Sequence, residues 1–132
     1  MLGIDTNILV RFLVDDHVEQ SGCAAALFAV AESRSEPVFV SQIVLCECAW
    51  VLKRSYRFEK IRILDAIEAL LQAAAIAVEG SEQVVWALEQ ARSNPGGLAD
   101  YLIGAAAGVA GCTETLTFDR ALASHPSFRL LS

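Results

Sequence analysis

The chain has 132 residues, the size of one ordinary domain, and 55% of them are hydrophobic, which provides for a buried core and excludes a disordered chain. The formal net charge of −6 argues against a general nucleic-acid binder, because phosphate contacts need clustered Lys and Arg. No segment has the features of a signal peptide or the apolar length of a membrane span, so we expect a cytoplasmic protein without a membrane partner.

The spacing of hydrophobic residues predicts short strands that alternate with helices along the chain. In chain order these are a strand at 1–4, helices at 8–14 and 17–32, a strand at 37–40, helices at 42–53 and 59–73, a strand at 75–78, a helix with Ser81 as its N-cap, a helix at 98–110, a strand at 115–118, a short helix at 119–123 and a strand at 128–131. This order implies right-handed crossovers and a mainly parallel sheet with helices on both faces. We therefore predict a single three-layer α/β domain over residues 1–132, with one five-stranded central sheet.

The cysteines and histidines do not indicate a metal site. Four cysteines match no zinc-ligand spacing and are predicted to be reduced and mostly buried; they are Cys23, Cys46, Cys48 and Cys112. His17 begins a helix and His125 lies in a loop that contains proline, so both are predicted on the surface. Zinc is therefore not expected.

Four acidic residues follow or lie near the carboxyl ends of predicted strands, where parallel sheets bind their ligands. Asp5 follows the first strand, and Asp119 follows the strand at 115–118. Asp100 lies in the first turn of a helix, and Glu47 lies one to two helical turns beyond the second strand. Parallel topology predicts that these four side chains meet at one edge of the sheet.

Each acid also has a simpler interpretation. Asp5, Asp100 and Asp119 can cap or complement the helices that they begin. Glu47 fits that interpretation least, because it lies mid-helix among apolar residues, where a buried carboxylate needs a cation. Clustered carboxylates also repel one another, and a hard divalent ion such as Mg²⁺ or Mn²⁺ compensates their charge. Such sites hydrolyse phosphodiester bonds with an activated water.

Basic residues are concentrated in one short stretch of this acidic chain. Half of them lie there, namely Lys53, Arg54, Arg57, Lys60 and Arg62. The stretch has three interpretations: a solvated helix end, a patch that contacts phosphate, or a docking site for an acidic partner. Arg11 and Arg120 are further candidates for contacts with RNA or a partner. Trp50, nearby, is either a dimer contact or a core residue.

Four segments resemble, in order, the four motifs of the PIN domain as it occurs in the VapC toxins of bacterial toxin–antitoxin pairs. They are residues 1–13 around Asp5, residues 41–52 around Glu47, residues 98–106 around Asp100 and residues 116–122 around Asp119. Each motif is weak alone, and the four in order are strong. The resemblance covers essentially the whole chain.

The resemblance implies a metal-dependent endoribonuclease that cuts structured RNA such as tRNA or rRNA. It also implies a homodimer and a VapB-type antitoxin whose tail masks the active site. The four motif acids would be catalytic and hold one or two Mg²⁺ or Mn²⁺ ions. Polar residues near them would orient ligands or waters, namely Thr6, Asn7, Ser41 and Thr117. Gly97 stands where many relatives carry another acid, so we expect one ion, or a second held mainly by substrate phosphate.

Two other functions compete with this interpretation. A phosphatase of the haloacid dehalogenase type also begins with a strand and an Asp, but it needs a second Asp where this chain has Asn7. It also needs a later Lys, and the last lysine here is Lys60. The second alternative is a catalytically silent PIN-like module that binds RNA or a protein, whose expected sign is the loss of a site acid.

Overall fold

The computed structural model describes every residue from Met1 to Ser132, and the chain forms two compact units, Met1–Ser81 and Glu82–Ser132. We call them the N-terminal and the C-terminal unit. The first contains α1 (Thr6–Leu13), α2 (Val18–Arg34), β1 (Val38–Val40), α3 (Gln42–Arg54), α4 (Lys60–Gln72) and β2 (Ile76–Val78). After α5 (Ser81–Ser93), which begins at the boundary, the second contains α6 (Leu98–Val109), β3 (Thr115–Thr117), a 3-10 helix (Leu122–Ser124) and β4 (Phe128–Leu130).

In the N-terminal unit, β1 is the central strand. It pairs in parallel with β2, with Val38 opposite Ile76. On its other edge the Phe39 amide donates to the Leu2 carbonyl at 2.7 Å, and the Ile4 amide donates to the Phe39 carbonyl at 3.2 Å. The segment before α1 therefore runs parallel to β1, joined by an isolated bridge rather than a full strand.

The C-terminal unit has its own parallel pair, in which Thr115 of β3 lies opposite Phe128 of β4. The parallel α/β character predicted from the sequence is confirmed, with six α-helices and short parallel strands. The single five-stranded sheet is not shown, because the four strands form two pairs of three-residue strands. Hydrophobic spacing locates strands but carries no information about which strands pair, since pairing depends on residues distant in sequence.

Apolar faces of α1, α3 and α4 build the core of the N-terminal unit. Helix α1 packs against α2 and α3, and α3 packs against α4. Leu9, Leu45, Leu52 and Ile67 are completely buried. None of the helices in the structure has both the length and the apolar character needed to cross a lipid bilayer.

Tyr101 is the centre of the C-terminal unit's core. It is completely buried, and its hydroxyl donates to the Pro95 carbonyl at 2.5 Å. The rings of Trp86, His125 and Phe128 meet it edge-on, with His125 at a centroid distance of 5.1 Å. These contacts join α5, α6 and β4 within the unit.

The surface position predicted for His125 is wrong, because the residue is only 8% exposed. Its Nδ1 accepts a hydrogen bond from the Ser127 amide at 3.1 Å, and its Nε2 lies 2.7 Å from the Gln90 side-chain oxygen. This assigns the ring proton to Nε2. A loop that contains proline predicts a surface position for His125, but in this structure its imidazole packs among aromatic rings.

The predicted burial of the cysteines is also mostly wrong. All four are free thiols, but only Cys48 is buried, while Cys23 and Cys112 are exposed. Burial raises the pKa of the Cys48 thiol to about 12, so this group stays protonated at neutral pH.

The helices end within two residues of their predicted bounds, but the short helix predicted at 119–123 is a 3-10 helix that begins at Leu122.

Truncating Leu45 to Ala is expected to lower the free energy of unfolding by about 2–5 kcal/mol, since it opens a cavity in the core. The matched control is Ile43→Ala on the same helix, where the side chain is 72% exposed and the loss should stay within about 0.5 kcal/mol. Urea unfolding followed by circular dichroism measures both. Equal losses at the two positions would contradict the packing described here.

Candidate active site

Asp5, the acid of the first predicted motif, lies between the N-terminal segment and α1. Its backbone is extended and its Oδ1 accepts the Ile8 amide at 3.3 Å, which makes it the N-cap of α1. The capping interpretation is therefore confirmed for this residue. An N-cap bond uses one carboxylate oxygen and holds the side chain at the start of the helix, where the helix dipole favours negative charge.

Glu47 is exposed on α3, so the prediction that it is buried among apolar residues is wrong. Its neighbours Leu45 and Cys48 face the core, and the helical rotation between them turns Glu47 outward. The Thr6 hydroxyl donates to Glu47 Oε1 at 3.1 Å. Because Thr6 follows Asp5 directly, this bond brings the first and second motifs together within the N-terminal unit.

Asp100 begins α6 in the C-terminal unit. Its Oδ2 accepts the Gly97 amide at 2.8 Å, so it binds back to the helix N-cap. Gly96 before it has a φ of 97°, and a Cβ there would lie 3.1 Å from Asp100 Oδ2. Glycine is thus favoured at 96 by its backbone conformation and by its close approach to the carboxylate.

Asp119 organises the turn after β3. Its Oδ1 accepts the amides of Ala121 at 2.9 Å and Leu122 at 3.1 Å, and its own amide donates to Thr117 Oγ1 at 3.0 Å. Burial is the first cause that raises the pKa of Tyr101, and the charges of Asp100 and Asp119 raise it further. The two acids of this unit therefore act on one common side chain.

All four acids share a feature that suits a cation. Each accepts hydrogen bonds from the chain through one carboxylate oxygen, and the other oxygen accepts none. None of the four forms an ion pair. No three side chains of His, Cys, Asp or Glu are grouped as the ligands of a metal ion.

The predicted supporting residues have different positions. Ser41 is the N-cap of α3 and accepts the Val44 amide at 3.1 Å, while Thr117 binds Asp119 as described. Asn7 lines an open groove of about 740 Å³ together with Asp5 and Arg11. The sequence analysis did not find Glu79, whose Oε1 accepts the Gln42 amide at 2.9 Å and so completes the start of α3.

Arg11, predicted as a contact for RNA or a partner, is engaged within the N-terminal unit. Its guanidinium donates to Gln20 Oε1 at 2.8 Å, to Asp16 Oδ1 at 3.2 Å and to the Tyr56 hydroxyl at 3.1 Å. The Tyr56 hydroxyl in turn donates to Asp16 Oδ2 at 2.8 Å. No local pattern predicts this network, because Tyr56 is distant in sequence from the other three residues.

Comparison with known proteins gives one finding. The family model of the PIN domain matches residues 3–126, a range that contains all four motif acids. No match to a curated protein was found.

Tyr56→Phe is expected to destabilise the protein at neutral pH, and the part of this cost that comes from Asp16 should disappear in acid. The hydrogen bond from Tyr56 is the first cause that lowers the pKa of Asp16 below its ordinary value of 3.8. A lowered carboxyl pKa contributes stability above the ordinary value, which is lost as the pH falls through the lowered one. Urea unfolding at pH 7 and near pH 2 measures the two differences.

The control for this prediction is the same substitution in an Asp16→Asn background. There Tyr56 has no carboxylate to stabilise, so the cost of Tyr56→Phe should lose its pH dependence. A cost that does not change with pH in the parent background would contradict the assigned role of Asp16.

Proposed function

Because the chain belongs to the PIN-domain family, whose members are generally nucleases, we propose that it is a Mg²⁺- or Mn²⁺-dependent endoribonuclease that hydrolyses phosphodiester bonds in RNA. One observation carries the proposal beyond the family. The acids of all four motifs are each fixed through one oxygen, lack ion pairs, and have a second oxygen that accepts no hydrogen bond.

In this proposal Asp5, Glu47, Asp100 and Asp119 are the catalytic acids and the candidate metal ligands. When bound, a divalent ion supplies activation of water and stabilisation of charge on the phosphate. The chain's own contribution is to position the ligands. Thr6 orients Glu47, and the amides at Ile8, Gly97 and Leu122 orient the three aspartates.

The donor set favours Mg²⁺ or Mn²⁺ over softer metals. Its ligands are carboxylate oxygens, and Mg²⁺ characteristically binds through one or two carboxylates while keeping several waters. Gly97 adds no carboxylate, so we propose one resident ion, with any second ion held mainly by substrate phosphate.

The order of the four motifs supports a more specific role. We propose that the chain acts as the toxin of a VapC-type pair, cutting tRNA or rRNA. Its partners would be a VapB-type antitoxin, whose tail would mask the site, and a second copy of the chain in a homodimer. Asn7 and Ser41 would support the site from the start of α1 and α3. This role goes further than the nuclease chemistry, and evidence against the toxin role would not contradict the nuclease activity.

Cleavage of labelled total tRNA and rRNA fragments tests the nuclease. We expect discrete cuts with Mg²⁺ or Mn²⁺ and none with EDTA. Asp5→Asn, Glu47→Gln, Asp100→Asn and Asp119→Asn should each lower the rate by more than about 100-fold, the upper end of what loss of an outer-shell partner costs. Glu89→Gln, an exposed acid on α5, is the control and should cut like the parent chain. Binding without any cutting would instead support the silent module.

Thermal unfolding tests the metal site without relying on activity. An ion that binds only the folded state stabilises it by about 2.7 kcal/mol when its concentration is 100 times the Kd. We therefore expect millimolar Mg²⁺ or Mn²⁺ to raise the melting temperature, and Asp100→Asn to reduce that rise. No rise in the parent chain would contradict the metal site.

A gain-of-ligand variant is the matched control for Asp100→Asn. A side chain at position 97 meets no atom within 4 Å of its Cβ, and the backbone there is extended. Gly97→Asp can therefore be accommodated and adds a carboxylate three residues before Asp100. It should increase the rise in melting temperature with Mg²⁺, whereas a rise equal to that of the parent chain would show that residue 97 does not face the ion.

A further inference from the structure

We propose that residues 50–62, the end of α3 and the start of α4 with the turn between them, form a docking surface for unpaired RNA, with Trp50 as the platform on which a base stacks. We call this the elbow surface. The proposal rests on the proposed function, since it states how the nuclease would hold its substrate. It extends beyond the four acids to residues that take no part in holding a metal.

The first argument is charge. The elbow surface carries five basic residues and one acid, Glu59, while the rest of the chain has five basic residues and fifteen acidic ones. Lys53, Arg54 and Arg57 are all exposed. Lys53 and Arg54 also stabilise the C-terminus of α3 through its dipole. A local positive surface on an acidic protein attracts phosphate to this place and not to the whole molecule.

The second argument is the exposure of an aromatic ring among these cations. Trp50 is 60% exposed, and the Arg54 guanidinium lies 5.5 Å from its ring centre. Phe58 is different, because Arg62 covers its ring at 3.7 Å. Trp50 is therefore the accessible stacking platform. Aromatic rings next to Arg are the means by which proteins hold unpaired bases without reading their sequence.

The third argument is position on α3. Trp50 lies three residues after Glu47, and Arg54 lies seven residues after it, so all three share one helix face. With a rise of about 1.5 Å per residue, Trp50 is about 4.5 Å and Arg54 about 10.5 Å along the helix axis from Glu47. An RNA strand that follows this face would pass from the stacking platform to a proposed catalytic acid within about one nucleotide.

Arg57 adds a further observation. It has a φ of 56°, in the left-handed region that favours glycine. The turn thus carries a long cationic side chain at a position where glycine would adopt the backbone conformation with less strain. Such a strained residue at an exposed, charged turn is consistent with a contact to a ligand.

A second copy of the chain fits this surface less well than RNA does. A two-fold contact would place the same patch on both partners and bring five cations against five. Double-stranded RNA also fits less well, because its bases are stacked within the helix and cannot stack on Trp50. An unpaired RNA strand offers phosphates to the cations and a base that can stack on the Trp50 ring.

The test measures binding in EDTA, so that no cleavage takes part. The probe is a fluorescein-labelled, single-stranded RNA of about twelve nucleotides, a length that exceeds the smaller site sizes of single-strand binders. Its anisotropy is followed as salt is varied. We expect Trp50→Ala to weaken binding by roughly tenfold, within the range measured for loss of base stacking, and to leave the salt dependence unchanged.

Neutralising the cations, unlike Trp50→Ala, should change the salt dependence of RNA binding. Arg54→Gln with Arg57→Gln is expected to reduce the slope of log affinity against log salt by about 1.4, which is about 0.7 for each lost phosphate contact. The matched control is Arg34→Gln with Arg92→Gln, which removes the same charge from the last turns of two other helices. The control should leave the slope unchanged.

Fluorescence gives a direct readout of stacking. The chain has two tryptophans, so Trp86→Phe leaves Trp50 as the only one. Addition of the single-stranded RNA should quench its emission, and the same RNA annealed to its complement should not. The parent chain's anisotropy remains the reference if Trp86→Phe disturbs the core.

Several results would overturn the elbow surface. These are an equal loss of affinity in the control variant, duplex binding as tight as single-strand binding, and a Trp50→Ala change that dissociates a dimer while leaving RNA affinity intact. The outcomes of the two proposals can be told apart. If RNA binds through the elbow surface but is never cut in the presence of metal, the elbow surface is supported and the proposed nuclease activity is contradicted. If the parent chain cuts RNA and the elbow variants bind RNA as tightly as the parent chain, the nuclease activity is supported and the elbow surface is contradicted.

Discussion

The first amides of every helix have no partners inside the helix, and in this chain carboxylates accept several of them. Asp5 and Asp100 bind the starts of α1 and α6, and Asp119 binds the turn after β3. A carboxylate has two oxygens, so one can satisfy the backbone while the other stays available. Structural capping and a functional role are therefore compatible in the same side chain. The fold holds these charges in place by the same bonds that begin its helices.

Much of the local structure could be predicted from the sequence, because helix spacing, caps and turn residues act over a few positions. Helices α3 and α6 begin at their predicted residues, Gln42 and Leu98. Sheet pairing could not be predicted in the same way. The bridge between Gly3 and Phe39 and the pairing of Val38 with Ile76 join residues far apart in sequence, and no local pattern encodes them.

The residues of the candidate site stay a prediction from the sequence, and their surroundings could not be predicted. The motif order identified Glu47, yet its expected burial was wrong, since apolar neighbours in sequence lie on other faces of the helix. Trp50 proved to be exposed and is not a core residue. Arg11, a candidate contact for RNA or a partner, also binds Asp16 and Tyr56, which no local pattern predicted. Environment depends on tertiary packing, which residue type alone does not determine.

The parallel pairing around β1 has a consequence for the order in which the N-terminal unit folds. Helices form within microseconds from local contacts, whereas parallel strands must wait until the intervening chain has closed its loop. The segment before α1 can join β1 only after α2 has turned the chain back, and β2 only after α3 and α4. Asp5 and Ser41 cap α1 and α3 through local bonds, but their placement relative to each other depends on the pairing of this segment with β1 and so is acquired late.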